Sequence, residues 1–164
     1  MIDPLPDIGT VEVQKRLMAA MSASEAFAKA TTDAVSPQLC VLNQAGEILA
    51  VNRAWRDFCT ENDPRAMEHG YFVGRNYLHT CGASTGPDAA EAVPMVAGIL
   101  QVSRGESAEF KLEYPCHSPT RQRWFAARVT RFLDGNGSLV VLHEDITARV
   151  QAQALLQAER DFSS

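Results

Sequence analysis

The sequence predicts an α+β domain: one five-stranded antiparallel sheet, short helices on one face of it, and a flanking helix at each end. Three observations carry that expectation. Residues 39–52, LCVLNQAGEILAVN, are two short apolar runs around a turn. Residues 60–94 are irregular and rich in Gly and Pro. Residues 107–146 then hold three strand patterns in succession. Strands joined by short turns pair antiparallel, and helices inserted after the second strand must cover one face of the sheet they interrupt.

In chain order, residues 1–9 read as a loose lead-in with two prolines and a glycine. Thr10 is placed to cap a helix over about residues 11–31, in which Val13, Leu17, Met21 and Ala28, with Met18 and Phe27 beside them, make an apolar stripe. VSPQ ends that helix, and Gly46 takes the turn of the following hairpin. In RAWRDFCTEN, Trp55, Phe58 and Cys59 recur at helical spacing. A helix from about Asp88 or Pro94 to Ser103 stops at Arg104-Gly105. Phe110, Leu112 and Tyr114 then alternate with Glu109, Lys111 and Glu113, the pattern of a half-buried strand. Phe125, Ala127 and Val129 form one apolar face, with Trp124, Arg128 and Thr130 on the other; DGNG turns the chain into the last strand, SLVVLHEDI.

The 164 residues divide into a lead-in and amphipathic helix over 1–35, a domain over 36–147 and a C-terminal helix over 148–164. A composition 46% hydrophobic and 21% charged excludes wholesale disorder. The formal net charge of −5 argues against a nucleic-acid surface, and the cluster Arg121, Arg123, Arg128 and Arg131 reads as a solvated strand face. No apolar run is long enough for a membrane span, and MIDPLPDIGT lacks the basic region and apolar core of a signal peptide, so a cytoplasmic location is expected. Cys40, Cys59, Cys81 and Cys116 form no CxxC pair and read as reduced, buried thiols.

Four ordered segments resemble the PAS domain family, including its LOV branch. VLNQAGEILAVNRAW resembles the opening hairpin and first helix, with Asn52 at the strand-to-helix corner. VGRNYL resembles the segment that enters the long helix, EFKLEYPCHSPTRQRWFAARVTRF the fourth and fifth strand-like elements, and HEDIT the DIT signature that closes the domain. The resemblance implies a non-enzymatic sensory module of a bacterial signal-transduction protein, of the two-component kind. A ligand- or partner-induced change would pass through Asp145, Ile146 and Thr147 into the C-terminal helix, towards a histidine kinase or diguanylate cyclase type of effector or a further PAS domain. The alternative is a ligand-free module for protein–protein interaction and dimerisation.

Thr147 suits the N-cap of the exit helix, although Val150 stands where Glu would complete a capping box. Ala148, Ala152, Leu155, Glu159 and Phe162 fall at the 4-3-4-3 spacing of a two-helix coil, against the alternative of a frayed linker. A homodimer is expected because the stripe Val13, Leu17 and Met21 needs a partner surface; folding back on the sheet of its own domain is the alternative. The tail AERDFSS resembles a run into a further domain, so the chain reads as the N-terminal piece of a longer protein.

Trp55, Phe58, Phe72, Tyr77, Leu78, Ile99, Phe110, Leu112, Phe125 and Val129 are the expected lining of the space between helices and sheet. The occupant is left open between haem, flavin, an apolar small molecule and none. His79 is the histidine placed to hold a haem; His69 falls in a loop, and His117 and His143 fall at strand ends. In LOV domains the reactive cysteine follows Gly-Arg-Asn. Tyr77 stands there instead, with Cys81 one turn on, so no flavin–thiol adduct is expected. GASTG around Ser84 matches a nucleophile elbow, but NYLHTC is not the buried strand an elbow needs, and Asp134 and His143 follow in triad order without other support. His143 and Asp145 share a strand face, yet no third metal ligand is nominated.

Overall fold

A computed structural model describes residues 8–82, 89–133 and 135–164. Helix α1 spans Ile8–Asp33, strands β1 and β2 span Gln38–Leu42 and Ile48–Val51, and α2 spans Arg53–Asn62. A 3-10 turn at Gly70–Phe72, α3 at Tyr77–Gly82 and α4 at Ala89–Ser103 form the helical middle. Strands β3 (Glu109–Pro115), β4 (Trp124–Arg131) and β5 (Leu139–Asp145) complete a sheet of order β2-β1-β5-β4-β3, and α5 (Thr147–Phe162) leaves it. Every pairing is antiparallel. The expected α+β architecture is therefore the observed one.

Directly opposed residues on neighbouring strands project to the same face, so the register lays out the covered face in rows. Cys40, Val141, Val129 and Phe110 form one row, and Gln38, His143, Ala127 and Leu112 the next. Asp145, Phe125 and Tyr114 form the row at the junction end. The first row is the core: Cys40, Val129 and Val141 are fully buried beneath Ile99 and Val102 of α4. Helix α4 approaches β3 so closely that a Cβ on Gly98 would lie 2.2 Å from the Phe110 ring. Only glycine fits there.

Asn52 fixes the corner between β2 and α2. Its side-chain oxygen accepts from the Trp55 N–H at 3.0 Å and the Leu39 N–H at 2.9 Å. Its amide nitrogen lies 3.1, 3.3 and 2.9 Å from the carbonyl oxygens of Thr32, Val35 and Pro37. One fully buried side chain thus caps a helix and ties down the end of α1. Farther on, Gly70, Tyr71 and Phe72 take φ of 58°, 54° and 71°, a left-handed run that non-glycine residues rarely adopt. The Trp55 indole N–H donates to the Tyr71 carbonyl at 3.1 Å and holds it.

Two expectations need correction, and two open alternatives are resolved. Helix α1 begins at Ile8, so Thr10 lies inside it rather than capping it. Its stripe does not fold back on the sheet: no residue of α1 is buried, and Val13, Leu17 and Met21 stay exposed. Helix α4, expected from about Asp88 or Pro94, is described from Ala89, which agrees with the earlier start, and carries Pro94 internally. Arg123 is buried instead of solvated, because its guanidinium lies over Phe58 and Phe125 and bonds a carbonyl within the fold.

Candidate functional site: a tyrosine-clamped histidine beneath the sheet

His143 follows Leu139 and Val141 on the covered face of β5, and it is 8% exposed. Both of its ring nitrogens are engaged. The Tyr77 hydroxyl lies 3.0 Å from Nε2 and the Tyr114 hydroxyl 2.7 Å from Nδ1. A neutral imidazole has one N–H donor and one acceptor, so one hydroxyl donates to the ring and the other accepts from it. Burial pushes the His143 pKa down from 6.5 to about 4, since desolvation disfavours the imidazolium. Tyr77 opens α3 and Tyr114 lies near the end of β3. His143 therefore joins three elements through uncharged hydrogen bonds.

Beside it lies a cavity of about 190 Å³ lined by Gln38, Trp55, Phe58, Tyr114, Cys116, Phe125 and His143. Gln38, Phe58, Phe125 and His143 also border a more polar cleft of about 260 Å³, which adds Arg121, Arg123, Asp57, Glu61 and Asp145. Arg123 stands between the two. Its guanidinium carbon is 5.2 Å from the Phe58 ring centre and 5.9 Å from that of Phe125. Its Nε donates to the Cys116 carbonyl at 3.2 Å, and Nη2 donates to Asn62 Oδ1 at 3.3 Å.

The polar cleft reaches the start of α5. Asp145 Oδ1 accepts from the Thr147 backbone N–H at 2.9 Å and from its hydroxyl at 2.5 Å. Burial raises the Asp145 pKa, but the two Thr147 bonds and the charges of Arg121 and Arg123 outweigh it and hold the carboxyl below its ordinary value. Thr147 is the first helical residue, and Ile146 occupies the cap position without a side-chain bond. The Thr147 hydroxyl instead accepts from the Trp124 N–H at 3.0 Å, stitching the helix to β4. This corrects the N-cap expectation. The buried Ile146 donates its N–H to the Trp124 carbonyl at 2.9 Å.

Among the expected lining residues, Trp55, Phe58 and Phe125 border the cavity, and Tyr77 meets it through His143. Ile99 and Val129 belong to the solid core, and Phe110 is taken up against Gly98. Leu112 shares the sheet row of His143. Phe72 stacks on His69 with Arg75 over its ring, and Leu78 packs where a side chain on Gly46 would stand. His79 is exposed and borders neither cavity. Ser84, Asp134 and the side chain of Cys81 lie outside the described residues.

Sequence reasoning missed three members of the site: His143 as a buried centre, Gln38 and Arg123. For two of them a signal existed. His143 has the strand parity of Leu139 and Val141, and Gln38 that of Cys40 and Leu42.

The two cavities beside His143 do not fit the cofactors left open. A haem needs an axial histidine with an available nitrogen. His79 is in the lining of neither cavity, and both nitrogens of His143 are committed to tyrosine hydroxyls. The cavity beside His143, at about 190 Å³, does not by itself enclose a porphyrin or a three-ring flavin. Among the described residues no group of three His, Cys, Asp or Glu side chains is disposed to hold a metal ion, and no helix is long and apolar enough to cross a membrane.

No family model matches the chain. Over 121 residues it is 37% identical to an uncharacterized 104.1 kDa protein of Rhodobacter capsulatus; the match takes in 73% of this chain and 12% of that protein. Among solved structures, the PAS domain of Bordetella pertussis BvgS superposes with a TM-score of 0.53 at 17% identity, covering 89% of this chain and 99% of the other. The PAS domain of an HTR-like protein from Haloarcula marismortui gives 0.51 at 19% identity, covering 80% and 99%. A phage VqmA solved as a complex with DPO gives 0.53 at 14% identity, covering 90% and 62%.

Proposed function

Given that this chain has the PAS fold, we propose that it is a non-enzymatic sensory module that senses a small molecule beneath its sheet and passes the change to its C-terminal helix. One observation carries this reading. His143, clamped in the cavity wall by Tyr77 and Tyr114, stands two residues before Asp145, whose carboxylate grips the first residue of α5. A shift of the cavity wall reaches the helix start along β5 with no flexible segment between. Trp124 reinforces the path, since its N–H and carbonyl both bind the Ile146–Thr147 joint.

The exposed seam of α5, from Ala148 through Leu155 to Phe162, and the exposed stripe Val13, Leu17 and Met21 of α1 support action as a homodimer. The effector beyond α5 is of the histidine kinase or diguanylate cyclase type in this reading, or a further PAS domain intervenes, and the site of action is cytoplasmic. The same exposed stripe favours the second reading, a ligand-free docking and dimerisation module.

The test is an absorption spectrum of the freshly purified protein together with mass spectrometry of its heat-released supernatant. The sensory reading expects a protein peak without haem or flavin bands, and a low-mass aromatic compound in the supernatant. A Soret or flavin band would contradict the cavity as assigned, and an empty supernatant would favour the docking module. Light scattering on wild type and Leu17→Glu tests the dimer: the variant should be monomeric, and a wild-type monomer overturns that part.

A further inference from the structure

Arg123 is 7% exposed, yet among the described residues no carboxylate lies within ion-pair distance of its guanidinium. Everything that holds it is neutral: the rings of Phe58 and Phe125, the Cys116 carbonyl at 3.2 Å and Asn62 Oδ1 at 3.3 Å. Both hydrogen bonds are longer than the usual length of about 2.9 Å. Phe58 and Asn62 stand one turn apart on α2, where the Asn62 amide donates to the Phe58 carbonyl at 2.7 Å. The last turn of α2 thus carries half of the cradle, and its Asp57, Phe58 and Glu61 border the polar cleft.

The same cleft holds the carboxylate of Asp145. Phe125, over whose ring the guanidinium lies, is directly opposite Asp145 in the β4–β5 ladder, and such pairs have their Cβ atoms about 5 Å apart. Arg123 already helps to hold the Asp145 carboxyl below its ordinary value. Arg121 is the other cation of the cleft, but it is exposed and screened by solvent. We propose that Arg123 is an exchangeable cation with two seats: the last turn of α2, which holds it here, and Asp145, to which it passes when that turn shifts. A guanidinium fork takes both carboxylate oxygens, and Asp145 Oδ1 is the atom that holds the Thr147 N–H and hydroxyl. Transfer of Arg123 therefore draws Oδ1 from Thr147 and loosens the start of α5. That consequence rests on the sensory reading above, to which it adds an input from α2 beside the one through β5.

The test removes the α2 seat. Asn62 is exposed at the end of α2, so Asn62→Ala spares the core. Magnetic resonance on the full chain follows the titration of the Asp145 carboxyl and the exchange of the Thr147 and Val150 amides. In Asn62→Ala the Asp145 midpoint should lie below that of wild type. The two amides should exchange about tenfold faster, the worth of one hydrogen bond. Adding Arg123→Met keeps an apolar stem over the rings and removes the cation. That double variant should return the amides to their wild-type rates and raise the Asp145 midpoint, whereas a merely structural role for Asn62 would leave exchange fast. An Asp145 midpoint unchanged or raised in Asn62→Ala, or a double variant that exchanges as fast as the single one, would overturn the proposal. Should the double variant not fold, the Asp145 midpoint in Asn62→Ala decides alone. A lowered midpoint with unchanged exchange in α5 would confirm the transfer of Arg123 and contradict the sensory reading, so the two failures are distinguishable.

Discussion

The Tyr77 hydroxyl lies 3.0 Å from Nε2 of His143, 66 residues away in sequence, and joins the start of α3 to the strand that feeds the exit helix. With Tyr114 on the other ring nitrogen at 2.7 Å, it keeps a buried imidazole satisfied without any charge. Two predictions follow from this clamp and three from the joints and packing around it.

Tyr77→Phe removes one hydroxyl and keeps the ring. Nε2 of His143 is then buried without a partner, which costs about 1–3 kcal/mol. The denaturant midpoint should fall by a corresponding amount with an unchanged slope. A midpoint equal to wild type would show that the bond contributes nothing.

His143 also makes stability pH-dependent. The unfolded chain takes up a proton near the ordinary 6.5, whereas the folded chain refuses it until about 4. The unfolded state thus binds more protons within that window, and stability falls as pH falls through it. Above 6.5 the contribution is complete; the loss approaches roughly 3 kcal/mol near the lower end. Unfolding measured at pH 7.5, 6 and 4.5 should show this decline in wild type and a flatter profile in His143→Gln. Parallel profiles would place the proton elsewhere.

Asn52→Ala deletes the oxygen that receives the Trp55 and Leu39 N–H groups and the amide nitrogen that reaches the carbonyls of Thr32, Val35 and Pro37. Loss of the cap alone costs about 1 kcal/mol, and orphaned buried groups bring the total to roughly 3 kcal/mol. Thermal unfolding is the measurement, and a change within about 0.5 kcal/mol, the range of ordinary surface substitutions, would contradict the role assigned to it.

Thr147→Val keeps the shape and loses the hydroxyl that accepts from the Trp124 N–H and donates to Asp145. Exchange of the Trp124, Ile146 and Val150 amides should accelerate while the α4 amides keep their rates. Uniform acceleration would signal global destabilisation rather than a loosened joint.

Gly98→Ala places a Cβ 2.2 Å from the Phe110 ring, so α4 or β3 must shift. Overpacking of this kind costs about 1–3 kcal/mol, read as a lower thermal midpoint.

The sheet was legible in the sequence because alternation survives in it. Phe110, Leu112 and Tyr114 against Glu109, Lys111 and Glu113 describe β3 as it stands, and the turn at Gly46 takes the φ of 86° that glycine permits. The site was less legible because its members come from separate elements: Tyr77 from α3, Tyr114 from β3, His143 from β5 and Gln38 from β1. Strand parity was an unused signal for His143 on the covered face, and only the tertiary fold supplies the hydroxyls that let an imidazole stay buried. Arg123 misled for a related reason. A charge in an alternating strand reads as solvated until two aromatic rings and a carbonyl are brought to it. The stripe of α1 was read correctly as helical, but spacing alone does not say which surface covers it.

Hydrogen exchange over residues 143–152 in wild type and Tyr77→Phe tests the central claim, that the cavity wall and the exit helix are coupled through β5. The account predicts faster exchange at Ile146 and Val150 in the variant, with the amides of α4 unchanged. A response confined to α3, with residues 145–150 exchanging as in wild type, would contradict it.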